Sequence, residues 1–116
     1  MAQDNNKDDT AYLRLMLDSF AKINRFTKGM TFEDFSVDEK TQSAVIMQLQ
    51  VIGELAKKVP ENFKESINVP WKNMAGLRDL VSHDYFGLDI NVIWHTVKES
   101  VPETEKNIKE YLSKNK

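Results

Sequence analysis

Apolar residues along this chain recur at steps of three and four, the period of a helix with one buried face, and seldom alternate as they would in a half-buried strand. Leu13, Met16, Leu17, Phe20 and Ile23 predict a first helix from Asp9 to about Phe26, with Asp8, Asp9 and Thr10 supplying caps and favourable negative charge at its start. Residues 1–8, polar and acidic, are expected to form a flexible N-terminus. Between Thr27 and Val37 the pattern breaks around Gly29 and is too irregular for a helix, yet Phe32 and Phe35 predict a segment tucked onto the bundle. Asp38 heads a second helix in which Val45, Leu49, Ile52, Ala56 and Val59 keep one face as far as Pro60. Gly53 lies inside it at a cost of about 1 kcal/mol relative to Ala, which a close approach by a neighbouring helix would explain.

After a polar connection, Pro70 suits the first turn of a third helix, where a missing N–H leaves nothing unpaired. Trp71, Met74, Leu77, Val81 and Tyr85 mark its buried side, and Gly87 is a natural left-handed stop. Asp89 can then cap a last helix carrying Ile90, Ile93, Trp94, Val97, Val101, Ile108 and Leu112, bent or broken at Pro102. The expected fold is all-α, an up-and-down helical bundle of four to five helices in a single domain over residues 1–116.

Length and charge narrow the function more than the fold. At 116 residues there is room for one core and not for a two-domain enzyme. Sixteen Lys and Arg against eighteen Asp and Glu leave a net charge of −2, so no global positive field gathers nucleic acid or an anionic membrane, and any contact with phosphate must be local. The absence of cysteine removes disulfides, thiolate catalysis and thiolate metal sites. The N-terminal residues lack the basic and apolar stretches of a secretory signal, and no apolar run approaches the roughly 20 residues of a membrane span. A soluble, cytoplasmic protein is the expectation.

A glycine-rich phosphate loop, a zinc-binding His pair and a nucleophile elbow are all missing, which leaves two histidines. His95, beside Trp94 in the last helix, reads as an ordinary helix residue. His83 stands four residues after Asp79, the spacing at which a carboxylate can fix an imidazole tautomer and raise its basicity. Arg78 precedes His83 by five, so on a straight helix their directions differ by about 140°. One helix does not easily aim both at a single phosphate, whereas two copies crossing here could, which points to a composite site made by dimerisation. Spacing alone favours the plainer reading, an amphipathic helix with Arg78, Asp79 and Asp84 solvated and His83 incidental. A metal site of Asp79, His83 and Asp84 is weaker, because Asp84 points about 100° away from His83 and no further ligand completes the set.

The run from Pro70 to Gly87, PWKNMAGLRDLVSHDYFG, resembles the signature segment of the HepT-like toxins, a branch of the HEPN ribonuclease superfamily. Arg78, His83 and Tyr85 match its R-x4-H-x-Y motif. Ile52-Gly53-Glu54 with Leu55-Ala56, Pro70-Trp71, and Ile93-Trp94 followed by Val101-Pro102 are similar to further family landmarks in family order, so the resemblance runs from about Leu13 to Leu112. Asp79 is polar, as is common after the motif arginine, although an acid in place of an amide is less welcoming to RNA phosphate.

The resemblance implies a homodimeric HEPN-like bundle that cleaves RNA without a metal or other cofactor, as the toxin of a type VII-like toxin–antitoxin pair. Arg78 and His83 would be catalytic, with Asp79 and Ser82 supporting them. It also implies a partner, an MntA-like nucleotidyltransferase antitoxin that transfers AMP to Tyr85. Chemically this is coherent, since RNA carries its own nucleophile, the 2′-hydroxyl, and requires a base, an acid and a cation for the phosphorane charge. The alternative of another class is a non-catalytic HEPN binding subunit of a two-component nucleotidyltransferase. The acidic balance and only three arginines favour it, since general RNA binding rests on many phosphate contacts.

Overall fold

The computed structural model describes the backbone of residues 2–84 and 89–114 and the side chains of residues 10–78 and 89–114. Among them every regular element is helical: α1 (Ala2–Thr27), α2 (Phe32–Ser36), α3 (Glu39–Lys58), α4 (Glu61–Ser66), α5 (Trp71–Asp84), α6 (Ile90–His95), a π-helical turn (Thr96–Ser100) and α7 (Val101–Lys114). The all-α expectation holds. The core is built chiefly where α3 packs between α1 and α5, with α7 closing against α1. Leu13, Met16, Phe20 and Ile23 from α1 meet Val45, Leu49, Ile52 and Ala56 from α3, all fully buried, as the helical period requires.

Two stretches expected as irregular contain short helices. Thr31 caps α2: its hydroxyl accepts from the Asp34 amide at 3.1 Å, and the Asp34 carboxylate accepts from the Thr31 amide at 3.1 Å. This reciprocal box makes a five-residue helix stable on a platform formed by buried Phe35, whose ring lies 5.0 Å from Trp94. Phe32 also meets Trp94, edge to face at 6.3 Å, so both phenylalanines do tuck onto the bundle. The reversal ahead of α2 uses Gly29 at φ 77°, a left-handed conformation that ends α1 without a Cβ penalty. The connection between α3 and α5 likewise holds α4, anchored by Phe63 with Ile67 and Val69.

α1 starts at Ala2, ahead of the expected Asp9. Asp38 caps α3 as expected. Its carboxylate accepts from the Thr41 amide at 3.0 Å and from the Thr41 hydroxyl at 2.7 Å, which holds its pKa below the usual 3.8. Asp89 caps α6 through the Asn91 amide at 2.9 Å. Pro70 stands one position outside the first turn of α5, its carbonyl accepting from the Met74 amide at 2.9 Å. The last helix does not break at Pro102. Proline cannot donate to the carbonyl of Lys98, and the chain widens just before it: the Val101 amide donates to Thr96, five residues back, and Pro102 is absorbed in the first turn of α7. Ile93, Val97, Val101, Thr104 and Ile108 stay buried through this change of winding. Asn24 on α1 donates to Glu105 on α7 at 3.1 Å, tying the first helix to the last. No helix of the described residues is long and apolar enough to cross a membrane.

Candidate active site

The contact between α3 and α5 is set by an absence. A Cβ placed on Gly53 would lie 2.5 Å from the backbone nitrogen of Arg78 and 2.8 Å from its Cβ, closer than real Cβ atoms come. Glycine therefore lets the backbone of α5 settle directly on α3, as its position inside a helix predicts, and the residue delivered to that contact is Arg78. Met74 and Leu77, buried among the described side chains of α5, hold the helix down just ahead of the crossing.

Arg78 is half-exposed, with its Nε 3.4 Å from the carboxylate of Glu54, the neighbour of Gly53. The pair is accessible to solvent on both partners, so its role is geometric more than stabilising, since exposed ion pairs contribute about 0–1 kcal/mol. It fixes the direction of the guanidinium stem along the outer edge of α3. There it borders an open depression of about 350 Å³ with Met47, Gln50, Val51 and Glu54. Met47 is 58% exposed and gives this depression an apolar border. Glu54 received no role from sequence reasoning. The signal that could have found it was its place beside a mid-helix glycine, where a neighbouring helix must approach.

Asp79, Ser82 and His83 belong to the same uninterrupted helix as Arg78, and their side chains lie outside the described residues, as does that of Val81. Tyr85 and Gly87 also lie outside them. The second histidine, His95, is exposed at the end of α6, where the ordinary reading placed it. Among the described residues no group of three or more His, Asp or Glu side chains is arranged to hold a metal ion.

The relationships of the chain agree with this geometry. The family described as "Ribonuclease HepT-like" matches residues 16–111, which includes α3, the α3–α5 crossing and the whole of α5. The chain is 46% identical over 107 residues to "Putative RNase MJ0127" of Methanocaldococcus jannaschii, covering 91% of this chain and 88% of that one. It is 46% identical over 92 residues to "Probable ribonuclease HepT" of Thermococcus cleftensis, covering 78% and 84%. "Putative RNase TTE0752" of Caldanaerobacter subterraneus subsp. tengcongensis is 40% identical over 111 residues, covering 95% of this chain and 99% of the relative. No solved structure matches at comparable significance. With a family match across most of its length and relatives aligned nearly end to end, the chain belongs to the HepT-like ribonuclease family.

Proposed function

We propose that this protein is an endoribonuclease that acts as a homodimer, cuts RNA through its 2′-hydroxyl without a metal, and serves as the toxin of a toxin–antitoxin pair. The observation that carries the reading is the seating of Arg78. A glycine contact and an ion pair present its cation at an open groove, at the first position of R-x4-H-x-Y, in a chain of a ribonuclease family. A cation fixed in this way suits a phosphorane, whose extra negative charge develops only in the transition state.

In the proposed reaction His83 of one copy takes the proton of the 2′-hydroxyl, and the 2′-oxygen attacks phosphorus. The P–O5′ bond breaks, and the leaving 5′-oxygen receives a proton from the protonated His83 of the second copy. The products are a 2′,3′-cyclic phosphate and a 5′-hydroxyl. Arg78 balances the charge on the non-bridging oxygens, while Asp79 and Ser82 orient His83. Dimerisation follows from the helical period, which turns Arg78 and His83 about 140° apart on one copy. Exposed Met47 beside the groove supports a second copy packing there.

The proposed antitoxin is a nucleotidyltransferase that transfers AMP from ATP to Tyr85, releasing pyrophosphate. The bulky phosphodiester would fill the cleft and compete for Arg78. The test uses purified protein and a defined RNA in excess EDTA. Cleavage should persist, and a substrate with deoxyribose at the scissile position should resist. Activity lost on chelation and restored by a divalent ion would overturn the metal-free mechanism. On co-expression with a nucleotidyltransferase of the antitoxin type, intact mass should rise by AMP units that vanish in Tyr85→Phe; unchanged additions would mean another target. Absence of any cleavage by a folded dimer would favour the non-catalytic subunit, to which the net charge of −2 is the better match.

A further inference from the structure

A second depression lies on the same α3–α5 seam, beginning one helical turn from Arg78 towards the start of α5. It encloses about 470 Å³, with Ala75 and Trp71 on the α5 side. Lys57, Lys64 and Lys72 stand around it with Glu61 and Glu65. The two depressions are neighbours by helix geometry: Glu54 and Lys57 are successive positions on one edge of α3, as Arg78 and Ala75 are on α5. Trp71 is about 10 Å along the axis from Arg78 and on nearly the same side of the helix.

The chemistry of this depression differs from that of the chain as a whole. Its lining holds Lys57, Lys64 and Lys72 against Glu61 and Glu65, a net of +1 within a chain of −2. The sign inversion is local, which is what an acidic protein that handles a polyanion requires. The indole N–H of Trp71 is committed to the carbonyls of Lys64 and Ile67, at 3.1 and 3.3 Å. What the half-buried ring can offer a ligand is therefore its face, suited to stacking on a base of any identity. Lysines on flexible stems complement this, since they neutralise phosphates without reading sequence. Ala75, small and one turn from Arg78, lines the depression at its end towards Arg78.

We infer that this depression anchors the backbone of single-stranded RNA next to the bond cut at Arg78, with Lys64 and Lys72 as phosphate contacts and Trp71 as a stacking platform. The inference rests on the ribonuclease reading and assigns the substrate path leading away from its centre.

The test measures binding of labelled single-stranded RNA to His83→Ala protein over a series of salt concentrations, together with cleavage by the parent. Lys64→Ala/Lys72→Ala should weaken binding and make the slope of log K against log salt shallower by about 1.4, two phosphates at roughly 0.7 each. The same pair in the active protein should raise KM for long RNA and leave kcat unchanged. A dinucleotide, too short to reach the depression, should be cut by parent and variant alike. Glu61→Gln/Glu65→Gln should tighten binding, a gain that misfolding does not produce. An unaltered slope in the lysine variant, or equal losses on dinucleotide and long RNA, would overturn the assignment. If the protein binds RNA in a lysine-dependent way but cuts none, the ribonuclease reading fails and the binding surface stands. If it neither binds nor cuts, both fall.

Discussion

The two sides of α3 solve opposite problems. Towards α1 it presents Val45, Leu49, Ile52 and Ala56, fully buried side chains whose volumes fill the core. Towards α5 it presents Gly53, which fits because it has no side chain, and beyond it Glu54, half-exposed and paired with Arg78. Packing by volume is adaptable, because neighbouring side chains can repack around a methyl more or less. Packing by backbone contact is not, since nothing soft lies between the helices. The rigid side of α3 is thus the one that holds a charge at the surface, and the adaptable side holds the fold together.

The comparison predicts that function and stability separate along this helix. The largest effect expected is on catalysis. Arg78→Ala should lower RNA cleavage by about 10² to 10³-fold, the usual loss when a group stabilising a developing oxyanion is removed. Thermal unfolding should barely change, because the lost ion pair is solvent-exposed; a large drop in Tm with proportionate loss of activity would make Arg78 a structural residue instead. Next, in the core stripe, Leu49→Ala should cost about 2–5 kcal/mol in denaturant unfolding, the range for emptying a buried leucine site. The surviving folded fraction should cleave at the parental rate. Gly53→Val reaches both sides at once. The added side chain must push α5 away from α3 at about 1–3 kcal/mol, and activity should fall further than stability accounts for because Arg78 is carried with the helix. A valine tolerated without loss of either would refute the close contact.

The smallest effect concerns the start of α3. The lowered pKa of Asp38 means that the unfolded chain binds this proton more tightly than the folded one. The stabilisation is therefore present above the ordinary value of 3.8 and disappears as pH falls through the lower folded value. Asp38→Ala should reduce Tm slightly at pH 7 and not at all at the acid end of a titration. A decrement that persists unchanged into acid would assign the effect to something other than the cap.

Most of the architecture was readable because burial follows period: all eight core residues at the α1–α3 contact fall on the two helical stripes. The short helices were not. In α2 the Thr31-x-x-Asp34 box is visible in the sequence, but five residues are too few to show a period, and Gly29 just ahead suggests a loop. In α4 the buried Phe63 stands alone among polar neighbours, and its partner, Tyr111 at 5.8 Å between ring centres, is almost fifty residues away. Of the site, the motif itself was legible as spacing and resemblance. The Arg78–Glu54 pair was not, because it joins two helices and no local pattern records which residues of α3 will face α5. Gly53 was the one hint, a helix interior that accepts a poor helix former for the sake of a neighbour.

The π-helical turn before Pro102 has a consequence for how the length of the chain can vary. A turn closed five residues back holds one residue more than an α-turn, so it behaves as a single insertion taken up without disturbing the helix beyond it. Shortened there by one residue, with an N–H-bearing residue in place of Pro102, the segment could close as ordinary α-helix and still direct Thr104 and Ile108 at the core. The same deletion in the middle of α1 or α3 would rotate every later position by about 100° and turn charged side chains inward. Changes of length are therefore not spread evenly over this bundle: its most forgiving point for losing a residue lies inside a helix, in the widened turn.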